Sequence, residues 1–135
     1  MDPGKVTRLR PQTPPTVLVV EDDVVTRFMV ADELRSCGFK VLEASTADDA
    51  VTILETFPVH LVFTDVYIPG RRSGLDVARV ARDLRPTPHV ILTSGRVRAE
   101  DIPNLHELGP FVPKPYILAR IVDLVCRTLD PTASL

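Results

Sequence analysis

Residues 16–25 read T-V-L-V-V-E-D-D-V-V: four aliphatic residues behind a threonine, then three adjacent acids, then aliphatics again. A β-branched apolar run without polar alternation predicts a strand buried on both faces, as in a parallel sheet covered by helices. The acids that end it are costly neighbours. Two carboxylates about 4 Å apart repel by roughly 4 kcal/mol at an effective dielectric near 20. Something in the fold must compensate them.

Working outward from this stretch, helix-like and strand-like patterns alternate. Val25, Phe28, Met29 and Leu34 recur at helical spacing, and Gly38 is a good stop. Val41 to Ala44 reads as a second strand. Thr46 and Asp49 form a capping pair before a helix carrying Ala50, Val51, Leu54 and Phe57. His60 to Thr64 is a third strand, ending at Asp65. Ser73 and Asp76 repeat the capping pattern before a helix with Val77, Val80, Ala81 and Leu84, closed by Pro86. His89 to Thr93 is the fourth strand, followed by a short helix around Ile102 to Leu108 that Pro103 interrupts. A brief strand at Phe111 to Pro113 and a helix from Tyr116 to Leu129 complete the series. Five strands alternating with helices predict an α/β fold, a doubly wound five-stranded parallel sheet of the flavodoxin-like class. The expected organisation is a disordered Pro-rich tail over 1–15, one domain over 16–130 and a short C-terminal tail over 131–135.

Composition narrows the function. The 135 residues are 44% hydrophobic, enough for one core, and the net charge of −2 argues against a nucleic-acid-binding face. No apolar run approaches the roughly 18 residues of a membrane span, and no signal-peptide pattern is present, so a cytoplasmic location and no membrane contact are expected. Cys37 and Cys126 are too few and too distant for a disulfide framework or zinc site, and read as small buried hydrophobes.

In such a fold, sites gather beyond the carboxyl ends of the strands. Those ends bring Glu21, Asp22 and Asp23 together with Asp65, Ser94, Gly95 and Lys114. One lysine cannot neutralise the acids. A hard cation with oxygen ligands can, and Mg²⁺ suits a site offering a few carboxylates and an open face for phosphate oxygens. An Asp held there can attack phosphorus and become an aspartyl phosphate, with metal and lysine neutralising the transferred group.

Four motifs in order then resemble one family, the response-regulator receiver domain of two-component signalling, in its stand-alone single-domain type. They are V-V-E-D at Glu21 and Asp22, T-D-V-Y-I-P-G at Asp65, L-T-S-G at Ser94 and V-P-K-P at Lys114. The resemblance implies that Asp65 is the phosphoacceptor, with Ser94 and Lys114 acting on the phosphoryl group. It implies Mg²⁺ held by Asp22 directly, Glu21 through water, Asp65 and the backbone carbonyl of Tyr67. It further implies a cis bond before Pro115, a switch made by Ser94 and Phe111, and tuning of the rates by the side chains of Tyr67 and Arg96. The partners implied are a histidine kinase or histidine phosphotransfer protein and an unknown output protein. The only intrinsic chemistry implied is self-phosphorylation from small donors and autodephosphorylation, so the chain is not expected to be an enzyme.

Several readings stay open at this level. Thr93 competes with Ser94 for the hydroxyl position, and the adjacent Gly95 favours Ser94. Phe111 fits a core residue as well as a switch. Asp23 reads as the N-cap of the helix at Val24. Arg71 and Arg72 in the loop after Asp65 read as solvated. The apolar arc of the last helix is wider than one sheet face requires, and is either tucked under a loop or a contact surface for a homodimer or partner. His60, His89 and His106 read as structural. Competing functions are a Mg²⁺-dependent aspartate-nucleophile phosphohydrolase using Glu21 and Asp23, an FMN-binding module, and a receiver fragment of a larger regulator or hybrid kinase.

Overall fold

The computed structural model describes residues 13–129; the remaining parts of the expected tails lie outside the described residues. The elements are β1 (Thr16–Val20), α1 (Val24–Ser36), β2 (Lys40–Ala44), α2 (Ala47–Thr56), β3 (Leu61–Asp65), α3 (Gly74–Asp83), β4 (His89–Ser94), a 3-10 turn (Ala99–Asp101), α4 (Leu105–Leu108), β5 (Phe111–Pro113) and α5 (Leu118–Leu129). All strands pair in parallel, in the order β2-β1-β3-β4-β5. The predicted doubly wound sheet is present.

Alternation along the strands divides the core into two layers. Leu18, Val20, Val62, Val90 and Leu92 pack with Ala50 and Leu54 of α2 and Val77, Ala78 and Ala81 of α3. Val17, Val19, Leu61, Phe63 and Ile91 pack with Val30, Ala31 and Leu34 of α1 and Ile121 and Val125 of α5. Glu21 and Asp65 continue the odd-numbered series of the second layer, which aims both at the α1–α5 side of the rim.

The caps follow the sequence. Asp23 accepts hydrogen bonds from the N–H (2.8 Å) and hydroxyl (2.5 Å) of Thr26, Thr46 accepts from the N–H of Asp49, and Ser73 with Asp76 forms a full capping box. Gly38 ends α1 with φ +95°, a conformation a side chain would strain. His60 is structural: its Nδ1 accepts from the Thr16 N–H at 3.0 Å and fixes the start of β1.

The structure corrects four expectations. The inward face of α1 is Val30, Ala31 and Leu34, while Val25, Phe28 and Met29 are exposed at 65%, 60% and 51%. Phe57 falls beyond the end of α2 and is also exposed. Cys37 is exposed and Cys126 half-buried, so neither is a core residue. The Pro-interrupted helix is shorter than predicted. Pro103 has no N–H to donate, Asn104 turns left-handed at φ 57°, and α4 is a single turn. In α5 the apolar arc is largely used: Leu118, Val122, Leu124 and Leu129 pack partly against the second layer, and the exposed large apolar residue is Ile117, just before the helix, at 75%. The surplus apolar surface lies on α1 instead.

Candidate functional site

Glu21 leaves the end of β1 with its N–H donating to the carbonyl of Ala44 (3.0 Å), so the ladder continues one residue and buries the side chain at 4% exposure. Its Oε2 accepts from the Asp23 N–H at 3.1 Å. Behind it, Arg27 donates from Nη1 to the Glu21 carbonyl (2.9 Å) and pairs through Nε with Glu43 (3.2 Å), which also holds Arg35 at 3.1 Å. Sequence reasoning missed Arg27. Its position one turn into α1, closest in sequence among cations to the acidic run, was the available signal.

Asp65 closes β3 at 7% exposure. Its Oδ1 accepts from the Tyr67 N–H at 3.0 Å and its Oδ2 from Lys114 Nζ at 2.6 Å. The same ammonium donates to Glu21 Oε1 at 2.7 Å. Lys114 thus bridges two strand ends, carried there from β5 and anchored by its N–H on the Ser94 carbonyl (3.0 Å); the bond to Pro115 is cis, as implied, and Arg85–Pro86 is cis as well. Asp22 is exposed, yet one carboxylate oxygen from each of Glu21, Asp22 and Asp65 lies within 4.8 Å of the others.

The electrostatics follow from burial and pairing. Burial pushes the Glu21 carboxyl above its ordinary range, and the hydrogen bonds from Lys114 and the Asp23 N–H oppose this without cancelling it. Burial works against the Lys114 ammonium too, but its hydrogen bonds to Asp65 and Glu21 prevail and hold it well above the usual lysine range. One ammonium faces three carboxylates. The donor set is all hard oxygen, and the charge left over fits a hard divalent cation.

Gly74 shapes the other wall. A Cβ there would lie 1.7 Å from the Asp65 carbonyl oxygen, so only glycine lets α3 start this close to the phosphoacceptor candidate. Ser94 is on the rim and buried, with Oγ accepting from the N–H groups of Arg96 and Val97, both at 3.1 Å. It is not hydrogen-bonded to the carboxylates; its own O–H is left to donate. Thr93 is excluded from that role, because its hydroxyl donates to the Val112 carbonyl (2.6 Å) in the interior. Phe111 is half-buried and lines a cavity of about 410 Å³ with Ser94, Arg96, Val97 and Lys114. The Arg96 guanidinium lies 4.5 Å over the exposed ring of Tyr67, a cation–π contact across the mouth of the site. Asp23, spent on its cap, lies outside the cluster. The phosphohydrolase reading therefore loses its second acid.

A comparison with protein families matches residues 17–125 to the response regulator receiver domain. The chain belongs to this family. Similar proteins include the probable transcriptional regulator ycf27 of Cyanophora paradoxa, 34% identical over 125 residues that cover 87% of this chain and 51% of that protein. Among solved structures, a CheY-like receiver domain protein from Methanospirillum hungatei JF-1 shares the fold with TM-score 0.80 at 22% identity, covering 90% of this chain and 98% of that one. A BeF3-activated DrrB receiver domain is similar at 26% identity with TM-score 0.75, covering 87% and 99%. The chain spans from 25% to 51% of the length of the first curated relatives it matches.

As a receiver domain of a two-component response regulator, it is a signalling module of a family whose members are phosphorylated by histidine kinases and act on output partners. Receiver domains bind Mg²⁺ through acidic residues, and this chain has the cluster Glu21, Asp22 and Asp65. Among the described residues no helix is long and apolar enough to cross a membrane.

Proposed function

We propose that Asp65 is the phosphoacceptor, loaded in the presence of Mg²⁺ by a histidine kinase or histidine phosphotransfer protein. The observation that carries this reading is the single Lys114 ammonium bridging Asp65 and Glu21 at 2.6 and 2.7 Å. An Asp oxygen attacks phosphorus, the phosphorus–nitrogen bond of the donor imidazole breaks, and its electron pair leaves with the imidazole. Glu21, Asp22, Asp65 and the Tyr67 carbonyl are the residues that would hold Mg²⁺, which when bound supplies positive charge to the transferring group. Lys114, already charged and oriented, moves from the carboxylates to the new phosphoryl oxygens. Ser94 donates its O–H to the same group, releasing the loop N–H groups it now holds. Phe111, beside that hydroxyl, repacks into the adjoining cavity, and the altered face changes which protein is bound. Tyr67 and Arg96, stacked at the mouth, limit water and so set the rate of hydrolysis. The domain that does this is residues 16–130.

A protein donor is favoured by α1. Val24, Val25, Phe28 and Met29, all exposed, form an apolar patch that begins two residues after Asp22. A donor seated there delivers its histidine to the rim.

The test is intact mass after incubation with acetyl phosphate, with and without Mg²⁺, for wild type and Asp65→Asn. One phosphoryl group added, requiring both Mg²⁺ and Asp65, is the expected result. A gain that survives Asp65→Asn, or no gain at all, overturns the assignment.

A further inference from the structure

Tyr116 stands two residues beyond Lys114, in the turn that leads into α5. Its hydroxyl oxygen is buried and makes no hydrogen bond, and among the described residues it is the only buried side-chain polar atom without a protein partner. That is costly. Leaving a buried donor unmade forfeits its hydration, whereas a phenyl ring would fill the same space without penalty. Packing alone does not account for the oxygen.

Its surroundings point to the site. The ring meets Phe63 edge-on, with centroids 5.9 Å apart and planes at 71°. Phe63 is two residues before Asp65 on β3, so both side chains emerge on the same side of the sheet, the side that Val19 and Glu21 share on β1. Phe63, the ring's partner, therefore lies one pleat below the acidic cluster. Burial raises the pKa of the Tyr116 phenol to about 12, and the charges of Lys114, Glu21 and Asp65 are all felt there. It keeps its proton at any physiological pH.

The hydrogen bonds around Glu21 show what such a donor could serve. Glu21 is almost fully buried and has two partners, the Asp23 N–H on Oε2 and Lys114 on Oε1. When Lys114 turns to a phosphoryl group, Oε1 gives up its ammonium partner, and because Glu21's proposed share in the Mg²⁺ site is through water, one oxygen of a buried carboxylate is left needing a donor. We propose that the Tyr116 hydroxyl is a reserve donor that hydrogen-bonds the Glu21 carboxylate in the loaded domain, taking over from Lys114. Tyr116 is thus a positioning residue, unpaired in one state so that the acidic cluster stays satisfied in the other. The inference rests on the phosphoacceptor reading above.

The chain has no tryptophan and two tyrosines, so Tyr67→Phe leaves Tyr116 as the sole phenol. Loading this variant with MgCl₂ and beryllium fluoride is expected to shift the near-ultraviolet tyrosine band to longer wavelength and quench its fluorescence, as a phenol does when it donates to a carboxylate. Separately, Tyr116→Phe is expected to unfold in urea at the same or a higher midpoint than wild type when unloaded. Its affinity for beryllium fluoride should fall on the order of tenfold, the effect of one hydrogen bond to a charged group. An unchanged tyrosine spectrum on loading overturns the proposal, as does a Tyr116→Phe variant that binds beryllium fluoride like wild type. Equal destabilisation of the unloaded and loaded forms also overturns it, showing a packing role only. If wild type shows no thermal stabilisation with MgCl₂ and beryllium fluoride, the phosphoacceptor reading itself fails and this inference falls with it.

Discussion

From Glu21 across to Gly74, the rim is tied down on every side: Glu21 by Ala44, Asp23 and Lys114, its carbonyl by Arg27, Asp65 by Tyr67 and Lys114, and the start of α3 by the Val66 carbonyl at 2.9 Å. From Gly95 to Pro110 the chain is built differently. A three-residue 3-10 turn and a single-turn helix stand there, neither with a side-chain cap, and the ion pairs of Arg98 are with exposed neighbours in its own segment. Ile102 and Leu108 are its buried anchors. Phosphoryl transfer requires fixed charges, because misplacement by a fraction of an ångström weakens attack, whereas a switch requires a segment whose alternatives differ little in energy. Under the proposed function, the two sides would answer those separate demands.

The largest test of this contrast is a pair of backbone substitutions. Gly74→Ala places a Cβ against the Asp65 carbonyl oxygen, and backbone on both sides must move. It is expected to cost about 3 kcal/mol or more. Asn104→Gly, on the other side, gives a left-handed residue the side-chain-free form that adopts φ 57° without strain. Its effect is expected to stay within about 1 kcal/mol in either direction. Urea unfolding of the two variants measures both. Comparable losses would mean that the 95–110 side is as rigidly specified as the acidic side.

The same division marks how far the sequence could be read. Asp65, Lys114, Asp23 and the Ser73–Asp76 box were legible because each depends on residue type at a strand or helix end, which is a local property. Glu21 and Asp22 were legible for the same reason. The face of α1 was not, since Val24, Val25, Phe28, Met29, Val30, Ala31 and Leu34 cover more than one side of the helix and periodicity selects none. Pro103 announced a break, but nothing local in the sequence marked the left-handed turn at Asn104 that follows it. Tyr116 escaped notice because its contact with Phe63 joins elements remote in sequence, and Arg27 because one of its partners is a backbone carbonyl, which no residue pattern marks. The choice between Ser94 and Thr93 needed the register of β4 against β5, which sends the Thr93 hydroxyl to Val112.

A middle-sized test removes the cation. Lys114→Gln leaves Glu21 and Asp65 without a counter-charge, and a loss of about 2 kcal/mol at neutral pH is expected, less than for a fully buried pair because the lysine is a quarter exposed. The pH dependence identifies the source. In the folded domain the Glu21 pKa is already above its ordinary value of 4.5, so the stability tied to its protonated form is present below that value and is lost as pH rises through the folded pKa. Lys114 lowers that folded pKa, and removing it lets the pKa rise further. The deficit of the variant should therefore be greatest above the raised pKa and shrink on acidification, once Glu21 takes up a proton. The raised pKa of Lys114 contributes stability throughout the neutral range and loses it only in alkali. A deficit equal at acid and neutral pH would place the damage in packing and not in charge.

The smallest effect concerns the contact that joins the two sides. Tyr67 follows β3 and Arg96 follows β4, and the guanidinium 4.5 Å above the ring is the bridge between them at the mouth of the site. Such a contact on an exposed ring is worth about 0.5–1 kcal/mol, so Arg96→Ala should scarcely move the unfolding midpoint. Its kinetic effect is separate from its stability. If the stacked pair screens an Asp65 phosphoryl group from water, releasing the ring exposes that group for a larger share of the time, and the same free energy corresponds to an acceleration of hydrolysis on the order of threefold. Intact mass followed over time after removal of acetyl phosphate gives that rate. Arg96→Lys keeps the charge but not the flat stacking surface, and should fall between wild type and alanine. A hydrolysis rate unchanged in both variants would mean that Tyr67 alone covers the site, and that the rigid and loose sides are not coupled at its mouth.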